Sequence, residues 1–264
     1  MLPVIDTRIV EQTQLPCCKE SVLIKPYNSA QEKNILMSLA DPDKQQWLVN
    51  IREIMKQNVV EGDLKKIQKS IDFVYLAMKL RMMSKGDKLK YTFKCPNIID
   101  DKPCNNLLHA DDSFDDLMII KNPDNHKIIH KINSSLSVEL VPPNVGYLDY
   151  LCQLSGVDEN EIENMNQSAE YRLIQKNLEL ICNDVAYSIN KVFIHNDKDE
   201  KMYDSFTAEE LMENVIQYLT VEEVGELVKA KQELISLVVS LKKECPKCKY
   251  IYEREISNFF AFIT

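Results

Sequence analysis

Residues 88–104 read Lys88-Leu89-Lys90-Tyr91-Thr92-Phe93-Lys94-Cys95-Pro96-Asn97-Ile98-Ile99-Asp100-Asp101-Lys102-Pro103-Cys104, and residues 245–248 read Cys245-Pro246-Lys247-Cys248. The first stretch opens with alternation. Leu89, Tyr91 and Phe93 fall on one side and Lys88, Lys90, Thr92 and Lys94 on the other, the period of a β-strand. That strand runs into Cys95, and Cys104 follows nine positions later, behind Pro103. A C-x-x-C pair lets two sulfurs reach one ion from a tight turn, with backbone N–H groups free to bond them. Four thiolates in two pairs suit tetrahedral zinc, and a closed four-sulfur site is structural, because a catalytic one keeps a position open. The candidate ligands are therefore Cys95, Cys104, Cys245 and Cys248. The first pair is wider than the usual spacing of about two to four residues, so its loop must bulge out. The two pairs lie about 140 residues apart, so the chain must return its far end to its middle. A redox role for Cys245/Cys248 is disfavoured, since the segment does not open a helix in a βαβ setting.

Outward from these stretches, the expected architecture is α+β and mainly helical, with helices around a small antiparallel sheet and a zinc-ribbon-like knuckle of four cysteines. Residues 1–26 read as an extended arm in which Val22-Leu23-Ile24 is stopped by Lys25-Pro26. Ser29 with Glu32 reads as a capping box for a helix carrying Ile35, Leu36 and Leu39. Trp47, Leu48, Ile51, Ile54, Met55 and Val59 give a second helical stripe, and Ile71, Val74, Tyr75, Met78 and Met82 a third. Residues 88–142 read as one antiparallel sheet with turns at Asn125 and Asn133-Ser134. Beyond it the pattern predicts helices over 148–154, 169–192, 208–218 and 221–242. The last two open on the boxes Thr207/Glu210 and Thr220/Glu223, and the last would be about 30 Å long at about 1.5 Å per residue. The organisation expected is an N-terminal arm and helical region (1–87), a small β region with the first cysteine pair (88–143), and a C-terminal helical region ending in the second pair and an aromatic tail (144–264).

The whole chain has 264 residues and a net charge of −9. That sign argues against a global nucleic-acid surface, which shows as a Lys/Arg excess. Lys242, Lys243, Lys247 and Lys249 leave one local basic patch, so the alternative reading is a zinc-ribbon nucleic-acid-binding or accessory transcription protein. With five glycines there is little from which to build a phosphate loop, and no such motif or nucleophile elbow occurs. No apolar run approaches the ~18 residues of a membrane span. Met1 to Glu11 lacks an apolar h-region, so no secretory signal is expected, and the eight cysteines read as thiols or ligands in a reducing compartment. Cys152 and Cys182 fall among apolar neighbours as core thiols. The vicinal pair Cys17-Cys18 suggests no role. His109 follows Cys104 by five residues and is a substitute ligand to weigh, and Asp111, Asp112, Asp115 and Asp116 read as a solvated acidic loop. No catalytic triad or dyad follows from spacing.

Several weak motifs in order carry a resemblance. They are Leu15-Pro16, then Val22-Leu23-Ile24-Lys25-Pro26-Tyr27, Gln31-Glu32-Lys33 and Ile35-Leu36-Met37, then Leu80-Arg81, Ser84 and Gly86 before the strand ending at Cys95. The far end pairs Cys245-Pro246-Lys247-Cys248 with Ile256-Ser257-Asn258-Phe259-Phe260. Together they resemble the baseplate hub protein family of T-even-type contractile-tail bacteriophages, over roughly residues 14–95 and 205–260. The sequence departs from that pattern at Cys17-Cys18, where Ser/Thr-Gly is expected, at Lys25-Pro26-Tyr27 for Arg-Pro-Phe, and at Lys249 for Gly. The resemblance implies a non-enzymatic structural or chaperone-like assembly protein, present in the host cytoplasm during assembly and in the virion tail baseplate. Its partners would be other baseplate or hub proteins, with no membrane involved. Phe259, Phe260, Phe262 and Ile263 form an apolar tail that is the candidate partner-docking element.

Overall fold

The arm that opens the chain folds as a hairpin. In the computed structural model, which describes residues 8–40, 44–99, 101–154, 178–196 and 199–256, β1 (Glu11–Gln14) pairs antiparallel with β2 (Ser21–Ile24), and β2 with β3 (Val59–Glu61). Between them lie α1 (Ser29–Leu39) and α2 (Lys44–Asn58). The box opening α1 is one residue earlier than the sequence suggested: Asn28 is the cap, and its side chain and that of Gln31 exchange hydrogen bonds with each other's backbone N–H. The stripe on α2 is buried at Trp47, Leu48, Ile51, Ile54 and Met55. α3 (Ser70–Lys85) is buried nearly all round from Ile71 to Met82, which marks it as a central helix rather than a surface one.

From residue 88 the chain is richer in strands than its periodicity suggests. β4 (Lys88–Lys94) pairs with β7 (Leu107–Ser113), and the two-residue strands β5 (Ile98–Ile99) and β6 (Lys102–Pro103) make a small hairpin between them. A single turn, α4 (Phe114–Leu117), leads into β8 (Met118–Lys121), then β9 (Ile128–Lys131), β10 (Leu136–Leu140) and α5 (Gly146–Leu154). Residues 178–186 are helical (α6), and β11 (Ile189–His195), β12 (Glu200–Tyr203), α7 (Ala208–Asn214), α8 (Val221–Gln232), β13 (Ser236–Glu244) and β14 (Ile251–Ile256) follow.

The mainly helical expectation is corrected here. Among the described residues fourteen strands form five antiparallel sheets. Residues 88–142 do not make one sheet. β4 and β7 stand as a pair, β8 joins β13 and β14, and β9 and β10 join β11 and β12. Two predicted helices conceal strands. The helix expected to reach Val192 ends at 186, and the one expected over 221–242 ends at Gln232 and gives way to β13. In both places the apolar residues are consecutive as well as helically spaced. Leu237, Val238, Val239 and Leu241 are all buried, and a strand covered on both faces reads as a continuous apolar run, which periodicity cannot tell from a buried helix.

β13 is the element that joins distant parts. Its Leu237, Val239 and Leu241 pack in the same core as Leu15, Val22, Ile24, Leu48, Leu76 and Met78. A second core gathers Val138, Leu140, Val185, Val192 and Leu227. α8 sits on that second core through Leu227, and its entry is set by the Thr220 box: Thr220 Oγ1 accepts from the Glu223 N–H, while a Glu223 carboxylate oxygen accepts from the Thr220 N–H at 2.7 Å. Thr220→Ala removes one cap and is expected to cost ~1 kcal/mol in urea denaturation. An effect under a few tenths would mean that the helix start is held by packing alone.

Candidate metal centre

Two hairpins bring the four cysteines together. β4 delivers Cys95 and β7 leaves from Leu107. β13 delivers Cys245 and β14 leaves from Ile251. The backbone repeats itself at the two tips. The Cys95 N–H donates to the Asn106 carbonyl (2.9 Å) and the Cys245 N–H to that of Tyr250 (2.8 Å). In each case the acceptor lies two residues past the second cysteine of the pair. The residue directly after that cysteine has a left-handed backbone in both, Asn105 at φ 48° and Lys249 at φ 60°. Glycine would adopt this conformation without strain, so Lys249 takes the usual glycine's geometry at a side-chain cost. The six extra residues of the first pair are accounted for by the β5–β6 hairpin, turned at Asp101 (φ 59°) and closed by the Cys104 N–H on the Asn97 carbonyl (2.7 Å). The loop bulges out, as the wide spacing requires, and leaves the knuckle beneath it intact.

The four sulfurs lie within 4.8 Å of one another. Cys95 Sγ and Cys248 Sγ are 3.6 Å apart, and Cys104 Sγ and Cys245 Sγ 3.9 Å. Sulfurs about 2.3 Å from a tetrahedral zinc stand ~3.8 Å from each other, so these separations fit an ion at the centre. Cys95, Cys104 and Cys245 are buried and Cys248 is half-buried. Leu108 is buried with them, and Phe93 rests 4.1 Å from Tyr252, ring centre to ring centre, across the two hairpins. Burial pushes the Cys95 thiol up to about 12. Burial also opposes the Cys245 thiolate, but the N–H groups of Cys248 and Lys247 outweigh it and bring that thiol down to about 6. The Tyr250 N–H lowers Cys248. Asn106 Nδ2 lies 3.6 Å from Cys245 Sγ. The group can hold a metal ion, and its ligand set leaves no fifth protein donor beside it: among the described residues it is the one such cluster.

The other candidates are engaged elsewhere. His109 is exposed, with Nδ1 3.0 Å from Thr92 Oγ1. The acidic residues do not form a loop as expected: Asp111 and Asp112 lie on β7 and Asp115 and Asp116 on α4. Asp112 accepts from Tyr91 (2.8 Å) and pairs with Lys243 (3.7 Å), and Asp115 pairs with Lys79 (2.5 Å). Three of the four lysines around the second pair have acidic partners: Lys242 with Glu253, Lys243 with Asp112 and Lys249 with Glu244. Local pairing therefore neutralises most of the patch that kept a nucleic-acid role open. Cys152 is a buried core thiol and Cys182 lies half-buried against the second core. The tail residues Phe259, Phe260, Phe262 and Ile263 lie outside the described residues.

Spacing missed the place of Cys17-Cys18. Their backbone N–H groups both donate to the fully buried Asp72, at 2.6 Å and 3.0 Å, and Cys17 Sγ lies 3.6 Å from His126 Nδ1. Burial, and then the Asp72 charge, pushes the Cys17 thiol up to about 11, so this pair anchors a loop and is not poised as a nucleophile. A carboxylate between Ile71 and Phe73 on a helix that is apolar nearly all round was the available signal.

Compared with known families, residues 7–263 match a model described as T4 bacteriophage base plate protein. No curated protein and no solved structure matches the chain.

Proposed function

The chain belongs to the T4 bacteriophage base plate protein family, and from that premise we propose that it is a non-enzymatic structural or assembly protein of the baseplate hub, stapled by one structural zinc. Membership makes it a baseplate protein that meets other baseplate proteins. The observation that carries the finer reading is the convergence of Cys95, Cys104, Cys245 and Cys248 at tetrahedral spacing. A full set of four thiolates closes the coordination sphere and supplies no site for a reacting water. The staple ties the two hairpins into one rigid end. The aromatic tail, which follows β14 directly, is the proposed element that docks on a partner.

Zinc uptake at pH 7 is expected to release protons, because a thiol raised to about 12 must ionise to bind. The folded pKa of Cys245 is depressed to about 6. Its thiolate is therefore ready at neutral pH and is lost as pH falls through 6, so zinc affinity should fall more steeply below pH 6 than above it. Competition with a chromophoric chelator from pH 5 to 8 measures this, and a flat profile would count against thiolate ligation.

Two tests address the role. Affinity purification from infected cells should recover the chain with other baseplate proteins, and its presence or absence in finished virions separates hub component from assembly factor. Deleting residues 257–264 should abolish that recovery while leaving the fold intact. If the truncated chain also fails to fold, the tail packs in its own body and the docking role is wrong.

A further inference from the structure

Exposed apolar residues, fringed by unpaired charges of mainly opposite sign, gather at two places, around the knuckle and at the entry to α8. The first rims the cysteine group. Ile98 and Ile99 on the inserted hairpin, Leu107 on β7, and Tyr250 and Ile251 at the start of β14 are all exposed, Ile98 by 68%. None is more than four residues from a cysteine of the cluster. Packing around the sulfurs does not use them, since Leu108 and Phe93 fill that role. Around this patch three lysines, Lys94, Lys102 and Lys247, are exposed and make no ion pair among the described residues, against one such acid, Asp101, so the fringe is net basic. The second patch is the entry to α8, where Tyr218 is 76% exposed and Val221 81%. Here Glu213, Glu222 and Glu226 are exposed and likewise without a cationic partner among the described residues. A box already caps the α8 N-terminus, so Val221 is not needed there to start the helix.

Exposed large apolar residues that gather around one feature mark contact surfaces, and a lysine fringe on one patch with a glutamate fringe on the other makes them complementary. We propose that copies of this chain associate head to tail, the knuckle patch of one copy seating on the α8 entry of the next. Such a heterologous contact builds a ring where the rotation closes and an open chain where it does not. The inference rests on the two patches and not on the zinc reading of the cysteine cluster.

A capping experiment with the full chain tests it. Ile98→Asp removes the knuckle patch and Val221→Asp the α8 patch. In light scattering at low salt, the wild type should show a mass that rises with concentration and falls as salt is added. Each variant alone should stay monomeric, because its one intact patch finds no partner patch. An equimolar mixture should give a dimer and nothing larger, since the two intact patches meet once. Wild type that stays monomeric at every concentration, variants that associate like wild type, or a mixture that stays monomeric would each overturn the proposal. Val221 opens the helix that packs on the second core and not on the knuckle, so its variant separates a lost contact from a failed knuckle. Should Ile98→Asp not fold, the lysine reversal Lys94→Glu with Lys102→Glu and Lys247→Glu takes its place in the mixture, with the same readings.

Discussion

Cys245→Ser is expected to bind no zinc and to unfold at a temperature on the order of 10–20 °C below wild type. Cys245 is fully buried and stands 3.9 Å from Cys104. Serine offers no thiolate, and three remaining sulfurs hold zinc far more weakly than four. Apparent zinc-binding free energies of ~10–16 kcal/mol in small zinc domains exceed many whole-domain stabilities. A loss of only ~5 kcal/mol moves the midpoint by about 10–20 °C for a chain of this size class. The damage should spread beyond the knuckle, because β13 carries Cys245 at one end and Leu237, Val239 and Leu241 of the first core along its length. Wild type treated with a strong chelator should approach the midpoint of the variant. A variant that melts with untreated wild type would show that the sulfurs merely sit close together.

The second large effect is expected at Asp72. Its carboxylate accepts from the N–H groups of Cys17 and Cys18 inside the first core. Hydrogen bonds to a charged acceptor contribute about 1.5–3 kcal/mol each, and both are lost together from the half-buried Cys17 and Cys18. Asp72→Ala should therefore destabilise by ~3–5 kcal/mol in urea denaturation, and Asp72→Asn, which keeps one acceptor oxygen, by roughly half of that. The donors are backbone groups, so Cys17→Ser and Cys18→Ser should be mild by comparison. A large cost from the serine variants beside a small one from Asp72→Ala would shift the anchor to the thiols.

The sequence is most legible where a local rule acts alone. The alternation of Leu89, Tyr91 and Phe93 becomes β4, the boxes at Thr207 and Thr220 open α7 and α8, and the Trp47 to Met55 stripe is the buried face of α2. Cys245 and Cys248 could be picked out because C-x-x-C is a chemical signature, and Cys95 and Cys104 because each stands beside a proline at the end of an alternating strand or the loop after it. Their convergence depends on β13 pairing with β8 and β14, and nothing local announces that. Leu234 to Leu241 satisfies a helical stripe and a buried strand equally well, so the hidden β13 made a mainly helical chain out of a mixed one. The Asp72 anchor was hidden for a related reason. Its partners are backbone N–H groups more than fifty residues away, and backbone groups leave no trace in side-chain patterns.

One ion held by Cys95, Cys104, Cys245 and Cys248 is the central proposal. Native mass spectrometry of the full chain, purified without added metal or chelator, tests it directly. The account predicts a folded species carrying the mass of one zinc ion, and none in Cys245→Ser. A wild-type chain that is folded, stable and at its metal-free mass would contradict it.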